Sequence, residues 1–377
     1  MAAHSKISPS AIARVLACPR SVRLSEDIAE KHSEYAAEGT SAHSCCETKL
    51  HKALGIKDDT DITKLPYFNG EMDECSSDYA NYVLGLAGEA KINCKDPLVL
   101  IEQRVDLNRF IPEGFGTADA VVVADGTLHI VDMKYGMLPV SAGDGENGNP
   151  QLLCYALGCL DLFDCLYDIK DVELHIFQPR RDNFSNWKTT AENVRKWGEE
   201  VLKPAVASAL SGDAEWNAGE HCRFCKAKAI CRKRAEYNLM LCKMDFAEPD
   251  TLSETEISVV LDKADQLVSW VEDVSEYALS SALSGRVFPG YKVVEGRSNR
   301  KYTDEAAVAQ AVLDAGSNPY EQKLLGITAM TSLLGRKKFN DLLGNLIIKP
   351  TGKPTLVPES DKRPAYNSVK EDFKEEP

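Results

Sequence analysis

The sequence predicts a mixed α/β fold of the α+β type, with a mixed central sheet flanked by helices and a mostly helical C-terminal region. The expected core elements follow in the order helix, strand, strand, strand, helix, strand, which is not the regular alternation of a doubly wound sheet. Asp125-Gly126 lies between two apolar runs, and this pattern indicates a β-hairpin. Beyond residue 250, apolar residues recur at helical spacing.

Composition narrows the kinds of protein this chain can be. Its 377 residues suit two or three domains, which we expect at 1–245 and 250–346, followed by an extended or disordered tail at 347–377. The net charge of −14 argues against a protein that coats nucleic acid non-specifically. Because no apolar run approaches the roughly 20 residues that span a membrane, and the first six residues lack a signal-peptide core, we expect a cytoplasmic protein without membrane partners.

Two helices are expected before the sheet. The first begins with Ser8 as N-cap and ends near Cys18. The second spans about residues 34–54 and carries His43 and Glu47 four positions apart, on one helix face. These two side chains can point at one metal ion or phosphate, although a partly exposed helix with ordinary polar residues is the plain alternative.

The remaining strands and helices are expected where apolar residues recur at strand or helix spacing, and the loops are expected between them. They are a polar loop at 56–76, a helix at 77–91, strands at 98–105, 119–124, 127–134 and 173–178, a mobile loop at 141–150, and helices from about Gln151, over 188–211 and over 253–284. The basic and aromatic stretch 286–302 is expected to form a hairpin that faces either nucleic acid or solvent, and two or three helices follow to about Asn345.

The predicted hairpin carries the residues with the clearest chemistry. Asp132 and Lys134 lie two apart on its second strand, so their side chains leave the same face, and Asp119 begins the partner strand. Two carboxylates suit Mg²⁺ or Mn²⁺, and the ammonium can position a water molecule and stabilise charge on a phosphate. Asp-x-Lys also occurs by chance, and a hairpin with exposed charges needs no function.

A helix follows the loop that leaves this strand. Gln151 and Tyr155 lie four residues apart near its N-terminus, so they share one face. Helix N-termini favour phosphate groups. The pair is therefore a candidate for contact with a phosphate.

Cysteines form a second candidate site. Twelve cysteines in a cytoplasmic protein indicate metal ligands or buried packing residues rather than disulfides. The pattern Cys-x2-Cys-x5-Cys comprises Cys222, Cys225 and Cys231. Zinc would accept His221 or a further cysteine as fourth ligand, whereas a [4Fe–4S] cluster would take a cysteine, and spacing does not choose between Cys18 and Cys242. Four others are expected to be packing residues: Cys45, Cys46, Cys154 and Cys159.

Together these residues resemble the RecB-type branch of the PD-(D/E)XK nucleases. The resemblance covers about residues 5–235 and rests on motifs in the family's order, namely His43, Asp119, Asp132-x-Lys134 and Gln151-x3-Tyr155. The early Cys18-Pro19 and the later cysteines resemble the iron–sulfur subgroup, which includes the AddB nuclease domain and CRISPR-associated RecB-like nucleases. The stretch 352–365 is similar to phage-encoded members.

The resemblance implies a restriction-endonuclease-like core and a role for each matched residue. His43, Asp119, Asp132 and the backbone carbonyl of Met133 would bind Mg²⁺ or Mn²⁺, with Glu47 a weaker candidate. Lys134 would position the attacking water, and Gln151 and Tyr155 would hold the DNA backbone. Four cysteines would hold a [4Fe–4S] cluster that ties the N-terminal helix to the end of the nuclease domain: Cys18, Cys222, Cys225 and Cys231.

The function implied is a metal-dependent DNA exonuclease of phage recombination or repair, acting in the bacterial host cell beside a single-strand annealing protein. Two alternatives keep the fold: a non-catalytic DNA-binding scaffold, and a nuclease active only within a complex. A third is a zinc-binding module of unrelated fold.

Overall fold

A computed structural model gives the arrangement of most of the chain. It describes residues 7–29, 34–240, 253–296, 302–320 and 324–348. The chain divides into two compact units, residues 1–281 and 282–377. The three-part domain organisation expected from the sequence stays a prediction, because the link at 241–252 and most of the expected tail lie outside the described residues.

The first unit is built on a five-stranded mixed sheet with the strand order β1-β2-β3-β6-β7. The pair β3–β6 is parallel and the other pairs are antiparallel. A separate pair, β4–β5, forms a small hairpin. The strands are β1 (Leu98–Asp106), β2 (Phe115–Val123), β3 (Gly126–Met133), β4 (Gly143–Asp144), β5 (Asn147–Gly148), β6 (Ile169–Gln178) and β7 (Asn183–Thr190).

Helices cover both faces of the sheet, so the expected mixed α/β fold is confirmed. They are α1 (Ile12–Ala17), α2 (Ser21–Leu24), α3 (Glu34–Ala53), α4 (Gly70–Asn93), α5 (Pro150–Phe163), α6 (Ala191–Trp197) and α7 (Lys203–Ser211). One apolar core joins the sheet to α1, α5, α6 and α7, and a second joins it to α3 and α4. The four cysteines expected to be packing residues are buried in these cores.

The β2–β3 hairpin confirms the Asp-Gly turn signal. Gly126 has a φ of 90°, which a side chain would disfavour, and Ala124 and Thr127 exchange both backbone hydrogen bonds across the turn. However, β2 begins at Phe115, four residues before the expected start. Its first residues include glycine and alanine, which have low strand propensity, and tertiary packing overrides that propensity here.

Three other expectations were wrong at element level. Helix α4 begins at Gly70, where Asn69 accepts a hydrogen bond from Met72 N, so the loop expected to reach residue 76 is shorter. Strand β6 begins at Ile169 rather than 173. Residues 188–190, expected to be helical, end strand β7, and the helix starts only after Thr190 caps it. The helical run then continues through a π-helical turn at Gly198–Leu202.

The stretch 141–150, expected to be a mobile loop, instead packs against the sheet. Trp187 Nε1 donates a hydrogen bond to the Gly145 carbonyl at 2.9 Å. A β-carbon added at Gly143 or Gly148 would come within 2.4 or 2.6 Å of the Trp187 ring. The two glycines are needed because the hairpin backbone lies directly on this indole.

The C-terminal part is helical, as expected. Helix α8 (Arg232–Leu239) follows the cysteines, and α9 (Glu254–Leu283) confirms the helix expected at 253–284. The second unit contains α10 (Glu305–Asp314), α11 (Ile327–Leu334) and α12 (Arg336–Leu343). The hairpin expected at 286–302 is absent from residues 286–296, and 297–301 lie outside the described residues. None of the helices in the described ranges is long and apolar enough to cross a membrane.

Candidate active site and cysteine cluster

Four elements bring the predicted acidic site together. Strand β3 carries Asp132 and is followed directly by Lys134, whereas β2 carries Asp119. Helix α3 contributes His43 from one side of the sheet. Helix α5 contributes Gln151 and Tyr155 from the other side.

Asp119 is held by two partners. His43 Nδ1 lies 3.3 Å from Asp119 Oδ1, and the Met133 backbone N–H donates to Asp119 Oδ2 at 2.8 Å. Although burial alone would have the opposite effects, the His43–Asp119 pair lowers the pKa of Asp119 and raises that of His43 to about 9. The predicted ligand role of the Met133 carbonyl stays a prediction; its amide fixes the Asp119 carboxylate.

Asp132 is the centre of a second set of contacts. Lys134 Nζ lies 2.7 Å from Asp132 Oδ2, and Gln151 Nε2 donates to Asp132 Oδ1 at 3.2 Å. The same Gln151 amide donates to Tyr155 Oη at 2.9 Å, while its oxygen accepts from Lys134 Nζ at 3.4 Å. One connected network therefore joins the side chains of two separate sequence motifs, Asp132-x-Lys134 and Gln151-x3-Tyr155.

The Asp132 carboxylate lacks full compensation. It is 1 % exposed, and burial followed by the nearby Asp119 charge raises its pKa, in spite of Lys134. Its Oδ2 atom is paired with the Lys134 ammonium at 2.7 Å, yet that pairing does not offset the burial and the neighbouring charge. A buried carboxylate beside a second carboxylate is costly to ionise, and a bound cation would relieve that cost.

Glu102 is a site residue that motif reasoning missed. The register pairs Ile101 with Ala120 and Gln103 with Ala118, so Glu102 stands opposite Asp119, and it has a φ of 46°. Burial, and then the Asp119 charge, raises the pKa of Glu102 to about 7. The sequence shows only that Glu102 ends the apolar run at 98–101, and the strand register is what places it opposite Asp119.

The ligand atoms of Glu102, His43 and Asp119 all lie within 4.8 Å of one another. Glu47 is half-buried and does not belong to this group. Glu102, rather than the predicted Glu47, therefore lies with His43 and Asp119. One histidine and several carboxylates in this half-buried group, called the acidic pocket below, suit a hard divalent cation such as Mg²⁺ or Mn²⁺.

The surrounding backbone fixes these side chains. The Asn149 side chain caps α5 by accepting a hydrogen bond from the Gln151 backbone N–H, which sets the start of that helix. The buried Gln178 donates to the Gly136 and Leu138 carbonyls and accepts from Val140 N, tying the segment after Lys134 to the end of β6. From the sequence, Gln178 was expected only to end a strand.

The cysteines that the sequence singled out also come together. Cys18, at the end of α1, lines one small cavity with Cys222, Cys225 and Cys231. Cys18 is thus the cysteine that joins the later three, whereas Cys242 lies outside the described residues. All four are free thiols.

Neighbouring side chains contact these cysteines and shift the pKa values of their thiols. His221 Nε2 lies 3.8 Å from Cys222 Sγ, and Ser25 Oγ lies 3.7 Å from Cys225 Sγ. Burial would raise the pKa of the Cys18 and Cys222 thiols, but His221 lowers both. The same contacts raise the pKa of His221 to about 10. Four sulfur donors in one cavity fit a [4Fe–4S] cluster, and the adjacent imidazole leaves zinc as the alternative.

Comparison with known proteins gives a family. The profile of DUF2800, described as "Protein of unknown function", matches residues 4–364. The chain belongs to this family. A solved structure titled "Crystal structure of SSO0001" is 15 % identical and has a TM-score of 0.24, covering 59 % of this chain and 85 % of that one. So low a score carries no argument, and the family description names no activity.

For this DUF2800 member, the structure gathers every residue of the two sequence-predicted sites that carries a side-chain role, apart from Glu47. It also contains a third cluster that no motif predicts: His129 on β3, with Glu173 and His175 on β6. His129 lies 46 residues before His175, whereas Glu173 and His175 are neighbours on one strand. Only the β3–β6 register brings them together.

Proposed function

We propose that the protein is a metal-dependent deoxyribonuclease of the RecB-type PD-(D/E)XK class, acting as an exonuclease. One observation carries the proposal: the motif side chains of four elements converge on two neighbouring buried carboxylates, with His43 on Asp119 and with Lys134 and Gln151 on Asp132. The DNA substrate, the restriction-endonuclease-like assignment of the core and the place in phage recombination beside an annealing protein rest on the motif resemblance.

In this proposal each side chain has a defined task. Asp119 and Asp132, with His43 and the Met133 carbonyl, hold Mg²⁺ or Mn²⁺, which would stabilise charge on the phosphate and lower the pKa of a bound water. Lys134 acts as a cation and not as a base, because the Asp132 carboxylate raises its pKa despite burial. It orients the attacking water and stabilises the phosphate charge.

Gln151 and Tyr155 complete the site on the α5 side. Gln151 forms hydrogen bonds with Lys134, Asp132 and Tyr155. Its side-chain amide can exchange one of these partners for a phosphate oxygen. Both residues lie in the first turns of α5, whose N-terminus favours an anion. They would hold the DNA backbone beside the acidic pocket.

The experiment is cleavage of linear DNA by wild type and Asp132→Asn with Mg²⁺ or Mn²⁺. We expect the variant to lose at least about 100-fold in rate, because it removes a carboxylate that holds the metal ion acting on the phosphate. Asp161→Asn is the matched control, since Asp161 is a half-exposed carboxylate 3.6 Å from Arg109. Unchanged cleavage by a folded Asp132→Asn variant would refute the site assignment.

A second candidate function is a DNA-binding scaffold that keeps the fold without cleaving. The net charge of −14 motivates it, because an acidic surface repels the DNA that a free nuclease must approach and so favours a role that depends on a partner. It predicts binding of DNA or of a partner with no cleavage under any divalent ion. A nuclease active only within a complex would instead gain activity when its partner is added.

We further propose that Cys18, Cys222, Cys225 and Cys231 hold a [4Fe–4S] cluster with a structural role. Their shared cavity and the deprotonation-favouring His221 support this, and zinc is the alternative. Metal analysis and visible absorbance of anaerobically purified protein separate the two. Iron with sulfide and a brown colour supports the cluster, whereas zinc in a colourless protein contradicts it.

A further inference from the structure

The third cluster lies on the opposite face of β3 from Asp132. His129 has the same strand parity as Val131 and Met133, which pack in the core with α3 and α4. The parallel register places His129 beside Glu173, and Val131 beside His175. Both imidazoles are buried, and the Glu173 carboxylate is 16 % exposed.

The three side chains point ligand atoms at one another. His129 Nδ1 and His175 Nε2 are 3.2 Å apart, and Glu173 Oε2 lies 3.9 Å from each nitrogen. Ligand atoms bound to tetrahedral zinc at about 2.0–2.1 Å are about 3.3 Å from one another. The distance between the two imidazole nitrogens therefore already matches a zinc site, and the Glu173 carboxylate needs to move only slightly closer to them.

We propose that His129, His175 and Glu173 bind a zinc ion, at a site separate from both the acidic pocket and the cysteine cluster. The neighbouring contacts leave the required atoms facing inward. Tyr82 Oη lies 2.9 Å from His175 Nδ1, so it can accept that N–H and leave Nε2 for the metal. Lys188 Nζ lies 2.6 Å from Glu173 Oε1 and leaves Oε2 for the metal.

The protonation state of the cluster is also favourable. Burial lowers the pKa of both imidazoles, that of His175 to about 4, so the rings are neutral near pH 7. Neutral imidazole is the form that ligates metals. Zinc here would link β3 to β6 directly behind Asp132, and the effect on the protein would be added stability of this parallel pair rather than a step in DNA cleavage.

This proposal is tested by measuring zinc binding to the full-length protein. The cysteine cluster keeps whatever metal it holds after purification. Protein freed of loosely held metal by a chelator is titrated with Zn²⁺ against a chromophoric indicator. We expect wild type to bind one zinc more per chain than His129→Asn or Glu173→Gln. The matched control His51→Asn, which changes an α3 histidine 2.9 Å from Asp58, should bind as wild type does.

Further variants separate this site from its neighbours. Asp119→Asn should keep the extra zinc, whereas Tyr82→Phe should weaken it by about 10–100-fold, as loss of an outer partner of a metal-bound histidine does. Equal zinc content in wild type and a folded Glu173→Gln would overturn the proposal, whether or not the protein cleaves DNA. If both ligand variants fail to fold, Co²⁺ spectra of wild type decide. Tetrahedral bands without thiolate charge transfer support the site, and thiolate bands alone overturn it.

Discussion

Asp132 and Asp119 are neighbouring carboxylates with opposite electrostatic surroundings. The His43 contact and the Met133 amide stabilise the charge of Asp119, and its pKa is lowered. Asp132 is buried beside that charge, and its pKa is raised even though Lys134 is 2.7 Å away. A divalent cation would favour the ionised form of both carboxylates, so metal binding should release protons.

His43 gives a pH prediction for the metal-free protein. Unfolded histidine takes up its proton near pH 6.5, whereas folded His43 does so near pH 9. Between these values the folded state binds more protons, so the free energy of unfolding should fall as pH rises. Urea unfolding in a chelator should show a steeper loss of stability from pH 6.5 to 9 for wild type than for His43→Gln. Parallel curves would contradict the His43–Asp119 pairing.

Glu102 and Glu47 give a paired test of the acidic pocket. Glu102→Gln removes the carboxylate that shares the group with His43 and Asp119, so we expect Mn²⁺ to bind about 10-fold more weakly, a change of about 1.4 kcal/mol. Glu47→Gln on α3 should leave the Mn²⁺ affinity within about twofold of wild type, because its side chain lies outside the group. Calorimetry measures both without relying on cleavage. Equal losses in the two variants would favour the original prediction of Glu47.

At the scale of elements, the hairpin turn and the existence of strands β1, β2, β3 and β6 could be predicted, because short-range sequence patterns determine them. The dipeptide Asp125-Gly126 favours a hairpin turn through its own backbone preferences. Strand β7 could not be predicted, since Phe184 is 55 % exposed while Ser185 is half-buried, the reverse of the usual pattern. Glu102 was missed for a related reason: its importance arises from standing opposite Asp119, which is a property of the pairing and not of either segment.

The start of β2 depends on Gly116. A β-carbon there would come within 2.7 Å of Pro9 Cγ and 2.8 Å of Tyr155 Cε1. We expect Gly116→Ala to lower the free energy of unfolding by about 1–3 kcal/mol, as overpacking does, and to slow cleavage by shifting Tyr155. Gly88→Ala in α4 is the control, since nothing lies within 4 Å of the added carbon, and it should be neutral or stabilising. Identical thermal midpoints for wild type and Gly116→Ala would contradict this packing.

At the scale of the whole molecule, residues 17–23 are joined to residues 210–217 of the first unit near the cysteine cluster. Asn217 Nδ2 donates to the Ala17 carbonyl at 3.0 Å, and Arg23 donates to the Leu210 carbonyl at 2.9 Å. These contacts close a loop of about two hundred residues, and a cluster at Cys18 would lock that closure. The spacing left the fourth cysteine open and the family resemblance implied Cys18, and the fold places Cys18 in one cavity with the later three.

Loss of that closure should be visible in stability. We expect Cys18→Ser to lower the free energy of unfolding by on the order of 4 kcal/mol, as removal of a cross-link across a long loop does, and to release the bound metal. Cys165→Ser is the matched control, because Cys165 is exposed and lies outside the cluster. Thermal unfolding with metal analysis gives both readouts. Full metal content and an unchanged midpoint in Cys18→Ser would show that Cys18 is not a ligand.

The central claim, that the acidic pocket hydrolyses DNA, is tested most directly with end-labelled linear duplex DNA and Mg²⁺ or Mn²⁺. Wild type is compared with Lys134→Ala, and Lys203→Ala, a half-exposed lysine 3.0 Å from Glu199, is the control. We predict that wild type and Lys203→Ala degrade the DNA while folded Lys134→Ala does not, and the position of the label then gives the polarity. Equal degradation by Lys134→Ala, or no cleavage of single- or double-stranded DNA by wild type, would contradict the claim.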